Sequence, residues 1–284
     1  MSRMLIFVFA LLVLSVTAQN DEKFRIYDAK GERRSFEQVI EAMKLVDVVF
    51  VGESHDDAVA HKLQLELLKA AFDRIRSKQI VLAMEMFERD VQVIIDEYLQ
   101  DLITEAHFLS SSRPWNNYKT DYRPLVEFAK ENKLKVIASN APRRYVNMVS
   151  RRGKSLLEML SPEARRWIAP LPYKEASKAY AEKFSKIMGI NEHQSANNLL
   201  EAQTLWDATM AFSISEVLKA NSKALVIHIN GAFHSENRLG APEHLASYLP
   251  NVKFLVITIR RETKSLEFDK SKHLNLGDFV IITN

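Results

Sequence analysis

The sequence predicts an α/β fold in which a central, mainly parallel sheet carries helices on both faces. Two apolar stretches, residues 48–51 and 225–229, are rich in β-branched side chains, which is typical of strands that are buried on both faces. A helix-like repeat of apolar residues over 58–76 separates the first of these from a third apolar stretch at 79–85. The order strand, helix, strand predicts a right-handed parallel crossover.

Short local signals predict the other elements of the first part of the chain. Residues 24–27 predict a first strand, and Ser35 predicts a helix N-cap because a glutamine follows three residues later. In the 58–76 helix, Leu63, Leu67 and Ala71 recur at a spacing of four. This side of the helix is therefore expected to cover the sheet.

A largely helical insertion is predicted at about 86–219, lying over the carboxyl edge of the strands. It begins with a helix-like stretch at 90–102 and returns to the sheet near Val136 with an apolar stretch at 135–139. A long amphipathic helix at 199–218 closes it. Further strands are expected at 252–259 and 279–282.

Two strands end in the same pattern, glycine followed by histidine three residues later. Gly52-Glu53-Ser54-His55 follows the first apolar stretch, and Gly231-Ala232-Phe233-His234 follows a later one. In open α/β sheets, ligands bind just beyond the carboxyl ends of the strands. We therefore expect His55 and His234 to lie close together at one edge of the sheet.

The strand ends supply the residue types of a hydrolytic or metal site. Glu53, His55, Glu85 and His234 are the candidate catalytic residues. His55, His234 and Glu53 could hold a divalent metal such as zinc, iron or manganese, which would acidify a bound water. In a metal-free version, Glu53 or His55 activates water directly. The alternative is that these groups only satisfy backbone atoms at a turn.

Two further sets of polar residues are open to more than one interpretation. His61 lies about one helical turn beyond the first motif, where it either faces the same cleft and supports the site or, as we favour, lies on the surface. Arg143, Arg144 and Tyr145 fall in the first turn of a predicted helix, where arginines bind anions. Tyr145 could ligate ferric haem iron as a phenolate, or all three residues could simply begin the helix.

Composition excludes several classes of function. The 284 residues carry a formal net charge of only +3, with 39 basic and 36 acidic side chains, so we expect no nucleic-acid partner. The chain has no cysteine, which excludes disulfides, thiolate metal ligands and lipid attachment at a cysteine.

The N-terminus predicts a signal peptide over residues 1–18. Arg3 precedes a short apolar stretch, and Ala18 is a small residue at the expected cleavage position. Residues 19–284 are expected to form a single α/β domain. The protein is then expected to be periplasmic or secreted.

Several motifs, in order along the chain, resemble the ChaN family. They span about residues 36–259 and comprise Gly52-Glu53-Ser54-His55-Asp56, Ala83-Met84-Glu85-Met86-Phe87, Asp121-Tyr122-Arg123-Pro124, Ser139-Asn140-Ala141-Pro142-Arg143-Arg144, Glu201-Ala202-Gln203-Thr204-Leu205-Trp206-Asp207, and Asn230-Gly231-Ala232-Phe233-His234. ChaN-like proteins are bacterial envelope proteins of iron or haem acquisition. Many of them are lipoproteins, whereas this chain lacks the cysteine that lipid attachment requires.

The resemblance implies two readings of the function. As a ChaN-like protein, the chain would bind haem, with Tyr145 as the candidate iron ligand and Arg143 and Arg144 beside it. The resemblance also implies a homodimer and envelope partners in iron uptake. The family is similar, more distantly, to Tiki proteases and erythromycin esterases. By that similarity the chain would be a metal-dependent hydrolase using its paired motifs and strand-end glutamates.

Overall fold

An eight-stranded sheet organises the molecule in the computed structural model, which describes residues 23–189 and 194–284. Its strands, in chain order, are β1 (Phe24–Asp28), β2 (Arg33–Arg34), β3 (Val48–Glu53), β4 (Gln79–Glu88), β5 (Lys135–Asn140), β6 (Ala224–Gly231), β7 (Phe254–Arg261) and β8 (Phe279–Thr283). Across the sheet they lie in the order β2-β1-β8-β7-β3-β6-β4-β5. The six strands from β8 to β5 are mutually parallel, and β1 and β2 add an antiparallel edge.

Helices lie on both faces of this sheet, which confirms the predicted fold class. They are α1 (Phe36–Met43), α2 (Ala58–Arg74), α3 (Gln92–Leu99), α4 (Glu105–Ser112), α5 (Arg123–Glu131), α6 (Arg143–Arg152), α7 (Pro162–Arg165), α8 (Lys178–Met188), α9 (Gln194–Ala220), α10 (Ala241–Tyr248) and α11 (Lys270–His273). A π-helical turn covers Tyr118–Tyr122, and short 3-10 turns include Lys154–Met159 and Ala232–His234.

The central strands are apolar on both sides because each side packs against helices. Val49 and Val51 of β3 face the core formed with α1 to α5, whereas Val48 and Phe50 face the core formed with α9 and α10. All four side chains are fully buried. An uninterrupted apolar run is what such a strand requires, because neither face meets water.

Local signals explain where the helices begin. Ser35 forms the predicted capping box with Gln38 at the start of α1, and the side chain of Asp57 accepts from the first amides of α2. Helix α10 was not anticipated from the sequence. Its start is marked by Gly240, at a φ of 70°, and by Pro242 in its first turn.

The chain between β4 and β6 contains strand β5 and helices α3 to α9. Helix α6 packs on α9 outside the sheet, around Val146, Val149 and Leu205. The predicted signal peptide, residues 1–18, lies outside the described residues. Within the described residues, no helix is both long and apolar enough to cross a bilayer.

At Gly52, strand β3 comes very close to the turn that follows β6. A Cβ at Gly52 would lie 2.8 Å from Cα of Ala232. We expect Gly52→Ala to lower the free energy of unfolding by about 1–3 kcal/mol through overpacking, measured by guanidinium unfolding.

Gly189→Ala is the control for this measurement. Among the described residues a Cβ there would meet no atom within 4 Å, so the substitution measures the cost of a φ of 62°, roughly 1 kcal/mol. A loss in Gly52→Ala no larger than in this control would contradict the steric explanation.

Candidate functional site

The two glycine–histidine motifs lie side by side because β3 and β6 are neighbouring parallel strands. Gly52 lies opposite Asn230, and Glu53 lies opposite Gly231. Strand β4, on the other side of β6, contributes Glu85. The structure therefore brings Glu53, His55, Glu85 and His234 to one edge of the sheet.

Gly231 lies at the centre of this group. Its backbone N–H donates to Glu85 Oε2 at 2.7 Å, which links β6 to β4. A Cβ at this position would lie 2.9 Å from the ring of His55. Only glycine leaves room for the imidazole to pass over the strand end.

Glu53 is buried and accepts from several donors. Its Oε1 lies 3.0 Å from His55 Nδ1 and accepts from the hydroxyl of Tyr122 at 2.5 Å. Its Oε2 accepts from Gln64 Nε2 at 2.5 Å. Burial by itself raises the pKa of this carboxyl, but the surrounding donors hold the pKa below its usual range, so Glu53 is ionised.

His55 is the accessible member of the site. Its side chain is 46% exposed, and its ring meets that of Trp115 edge-on at 4.8 Å between centroids. Burial opposes protonation, but the nearby carboxylates of Glu53 and Glu85 raise the pKa of His55 above its usual value. A solvent-accessible imidazole with an oriented Nδ1 can exchange protons with a bound molecule.

His234 is buried between two carboxylates. Its Nδ1 lies 2.7 Å from Asp207 Oδ1, and its Nε2 lies 3.5 Å from Glu85 Oε1. The hydroxyl of Tyr180 donates to the other oxygen of Asp207. Burial lowers the pKa of His234, but the two carboxylates outweigh burial and raise the pKa to about 10. His234 is therefore a fixed cation near neutral pH, and it holds the pKa of Glu85 well below its usual range.

A second layer of hydrogen bonds holds the turn that carries His234. Asn230 Nδ2 donates to Ser235 Oγ at 2.9 Å and to the carbonyl of Gly231 at 2.8 Å. On α8, Lys183 Nζ donates to the carbonyl of Phe233 at 2.7 Å. The position of the His234 imidazole is thus determined both by its own contacts with Asp207 and Glu85 and by the hydrogen bonds that hold the backbone on either side of it.

Sequence reasoning missed several members of this network. For His61 the less favoured alternative is the correct one, since it is 5% exposed and its Nε2 lies 3.0 Å from Glu53 Oε2, within ion-pair distance. The spacing of His61 and Gln64 on the apolar side of α2 was the available signal. Asp207, a lone carboxylate in the apolar stretch of α9, was another. Tyr122 stands in the Asp121-Tyr122-Arg123-Pro124 motif, but neither it nor Tyr180 was predicted as a site residue, because tyrosine is common in cores.

The predicted metal set of His55, His234 and Glu53 is not supported. Among the described residues, no group of three or more histidines, aspartates and glutamates is arranged to hold an ion. The two nitrogens of His234 instead face the carboxylates of Asp207 and Glu85.

Tyr145, Arg143 and Arg144 lie apart from this network, at the start of α6. The guanidinium of Arg144 stacks 4.4 Å from the centroid of the Tyr145 ring and donates to its hydroxyl at 3.1 Å. Asp90 holds Arg144 in place through an ion pair. Arg143 is exposed.

Trp206 connects the two regions. Trp206 and Tyr145 both pack on the apolar cluster between α6 and α9, and the Trp206 ring lies 6.3 Å from that of His234. The candidate haem residues thus adjoin the glutamate–histidine network without belonging to it.

A cleft of about 980 Å³ lies elsewhere, along the open edge of β5 between α3 and α9. Its lining includes Gln92 but none of the predicted site residues. The Gln92 amide donates to the carbonyl of Val136 and accepts from the N–H of Ala138. This contact occupies backbone groups that an edge strand would otherwise expose.

The charge of His234 generates a prediction about stability and pH. The pKa of His234 in the folded protein is raised to about 10, whereas a histidine in the unfolded chain has a pKa of about 6.5. The stability that the charged imidazole contributes is therefore fully present below about pH 6.5 and is lost as the pH rises towards 10. We expect His234→Gln to cost roughly 3–5 kcal/mol of unfolding free energy at pH 6, and distinctly less at pH 10. Guanidinium unfolding at both pH values measures this. The exposed His107 gives a control, His107→Gln, and an equal cost at both pH values would contradict the assignment.

Comparison with known proteins places the fold and the family. The sequence pattern of the family described as "Haem-binding uptake, Tiki superfamily, ChaN" matches residues 39–245. The chain is also similar to Protein RETICULATA-RELATED 5, chloroplastic, of Arabidopsis thaliana, with 24% identity over 287 residues. That match covers 90% of this chain but spans only 37% of the length of that curated relative.

Two solved structures share the fold. ChaN of Campylobacter jejuni, solved with cofacially bound haem, has a TM-score of 0.67 at 19% identity, covering 93% of this chain and 98% of that chain. A variant of the erythromycin esterase EreC in its open conformation has a TM-score of 0.50 at 11% identity, covering 92% and 83%. At these identities the likeness concerns the fold alone. The family pattern, in contrast, matches well over half of the sequence, and the chain belongs to the ChaN family of the Tiki superfamily.

Proposed function

We propose that this protein binds haem at the start of α6, with Tyr145 as the iron ligand. The observation that carries the proposal is the pairing of Tyr145 with Arg144, which donates to the phenol oxygen at 3.1 Å. A cation in this position stabilises negative charge on the oxygen, and tyrosine binds ferric haem iron as a phenolate. The family description and the haem of Campylobacter jejuni ChaN support the proposal.

The residues around Tyr145 suit haem in two further respects. Arg143 is exposed and could pair with a haem propionate, since arginine binds carboxylates in a bidentate manner. Apolar side chains that are only partly buried, including Met148 and Trp206, pack on the same cluster as Tyr145. When bound, haem would supply a ferric iron with open coordination positions to this surface.

We further propose that the protein is exported and handles haem or iron outside the cytoplasm. The support is the signal-peptide pattern at residues 1–18, with no cysteine for lipid attachment. A homodimer and envelope partners in iron uptake are part of the same proposal. They rest on the resemblance to ChaN-like proteins.

Haemin titration tests the ligand. We expect the full chain to give a saturable Soret band, and Tyr145→Phe to bind at least tenfold more weakly because the phenolate is lost. Tyr248→Phe is the matched control, since its hydroxyl is buried without a hydrogen-bond partner in the described structure. Absence of saturable binding in the wild type would overturn haem binding itself. Equal binding by wild type and Tyr145→Phe would instead overturn only the ligand.

A second candidate function is hydrolysis at the strand ends, and the geometry of His55 favours it. His55 is accessible, and its Nδ1 is oriented by the buried, ionised Glu53 at 3.0 Å. An imidazole held in this way can remove a proton from water through its Nε2. His234, held as a fixed cation by Asp207 and Glu85, would stabilise negative charge close by.

Catalytic assays on small esters and amides test the second function. Because a general base contributes about 10²–10⁴-fold, we expect His55→Ala to lower kcat/KM at least 100-fold. His107→Ala serves as the control variant. Elemental analysis of the same preparations reports any bound metal. If wild type and His55→Ala show the same background rate, the strand-end network is not a hydrolytic site.

A further inference from the structure

A strongly basic surface lies on the segment from Arg143 to Arg166, outside the sheet. The segment carries seven basic and two acidic side chains, a formal net charge of +5, whereas the whole chain carries +3. The remaining residues together are therefore net negative, with 32 basic and 34 acidic side chains. Positive charge is concentrated on one part of the molecule.

The packing of this segment directs its charges outwards. Val146 and Val149 of α6 and Leu157 of the following turn are buried in the cluster shared with α9. Arg151, Arg152, Arg165 and Arg166 are all exposed. Because the apolar side chains of this segment pack in the core, the arginines lie on its solvent-facing side and carry a layer of positive charge.

An apolar side chain projects from the same layer. Met159 is 80% exposed and ends the 3-10 turn that connects α6 to α7. The guanidinium of Arg165 donates to the carbonyl of Leu160 at 3.1 Å and to that of Glu158. These two carbonyls flank Met159, so an arginine lies directly beside the exposed methionine.

We propose that Arg151, Arg152, Arg165, Arg166 and Met159, together termed the arginine surface, dock the protein on an anionic phospholipid bilayer. Basic residues near an anionic bilayer contribute roughly 1 kcal/mol each. An exposed apolar side chain among them can enter the boundary between headgroups and acyl chains. Charge complementarity alone would also suit an acidic protein, but an exposed methionine with an arginine beside it suits the apolar interior of a bilayer. The arginine surface goes beyond haem binding and includes none of the residues assigned to the haem.

Vesicle co-sedimentation of the full chain tests this proposal. Vesicles of phosphatidylcholine alone are compared with vesicles that contain one third phosphatidylglycerol. We expect tighter binding to the anionic vesicles, reduced by added salt because exposed charges are screened beyond about 10 Å at 0.1 M ionic strength. The N-terminal stretch, with Arg3, is common to all variants, so it contributes equally to the binding of each and does not affect the comparison between them.

Substitutions assign the binding to the arginine surface. Arg151→Gln with Arg152→Gln is expected to weaken anionic-vesicle binding at least roughly tenfold, since about two charge contacts are lost. Met159→Gln is expected to weaken it several-fold. The matched control, Lys264→Gln with Lys270→Gln, removes two exposed charges from the chain between β7 and β8 and is expected to bind as wild type does. Thermal unfolding of each variant verifies folding.

Three results would overturn the proposal. The first is equal binding to the two kinds of vesicle. The second is an equal loss in the control and in the arginine variants. The third is binding to soluble polyglutamate but not to anionic vesicles, which would assign the arginine surface to an acidic protein partner instead.

Discussion

Glu85 lies buried between two histidines at the end of the sheet, and a carboxylate in that position requires donors and positive charge close by. The N–H of Gly231 and the imidazole of His234 meet this requirement. His234 in turn requires Asp207, and Asp207 requires the hydroxyl of Tyr180. One buried charge therefore links strands β4 and β6 to helices α8 and α9, and the loss of any member leaves another unpaired.

The two histidine motifs have the same spacing but serve different physical roles. His55 remains accessible and is paired with one buried carboxylate, so it can gain and lose a proton in contact with solvent. His234 is enclosed by two carboxylates and stays charged near neutral pH. Environments that give two chemically identical groups different protonation behaviour are typical of acid–base sites.

The molecule contains three regions of different character. The glutamate–histidine network is buried apart from His55, whereas Tyr145 and its arginines lie on the outer helix α6. Trp206 adjoins both regions. The arginine surface begins at the end of the same helix, with Arg151 and Arg152, and continues through the following turn to Arg165 and Arg166. The proposed haem binding, proton transfer and docking on a charged bilayer thus draw on different side chains, and a substitution in one can leave the others intact.

The sequence by itself indicated the buried strands, a mainly parallel sheet and the meeting of the two motifs at one edge, whereas the order of the strands and the antiparallel edge strand β2 came from the structure. Buried strands are visible as local apolar runs, and parallel strands place their carboxyl ends on one side. Only the tertiary structure decided which partners complete the site. Asp207, His61, Gln64 and Tyr122 arrive on helices and turns whose approach depends on packing, and no local pattern encodes it. The structure likewise decided that both nitrogens of His234 face carboxylates, because the charge state of a buried imidazole depends on neighbours that are distant in the chain.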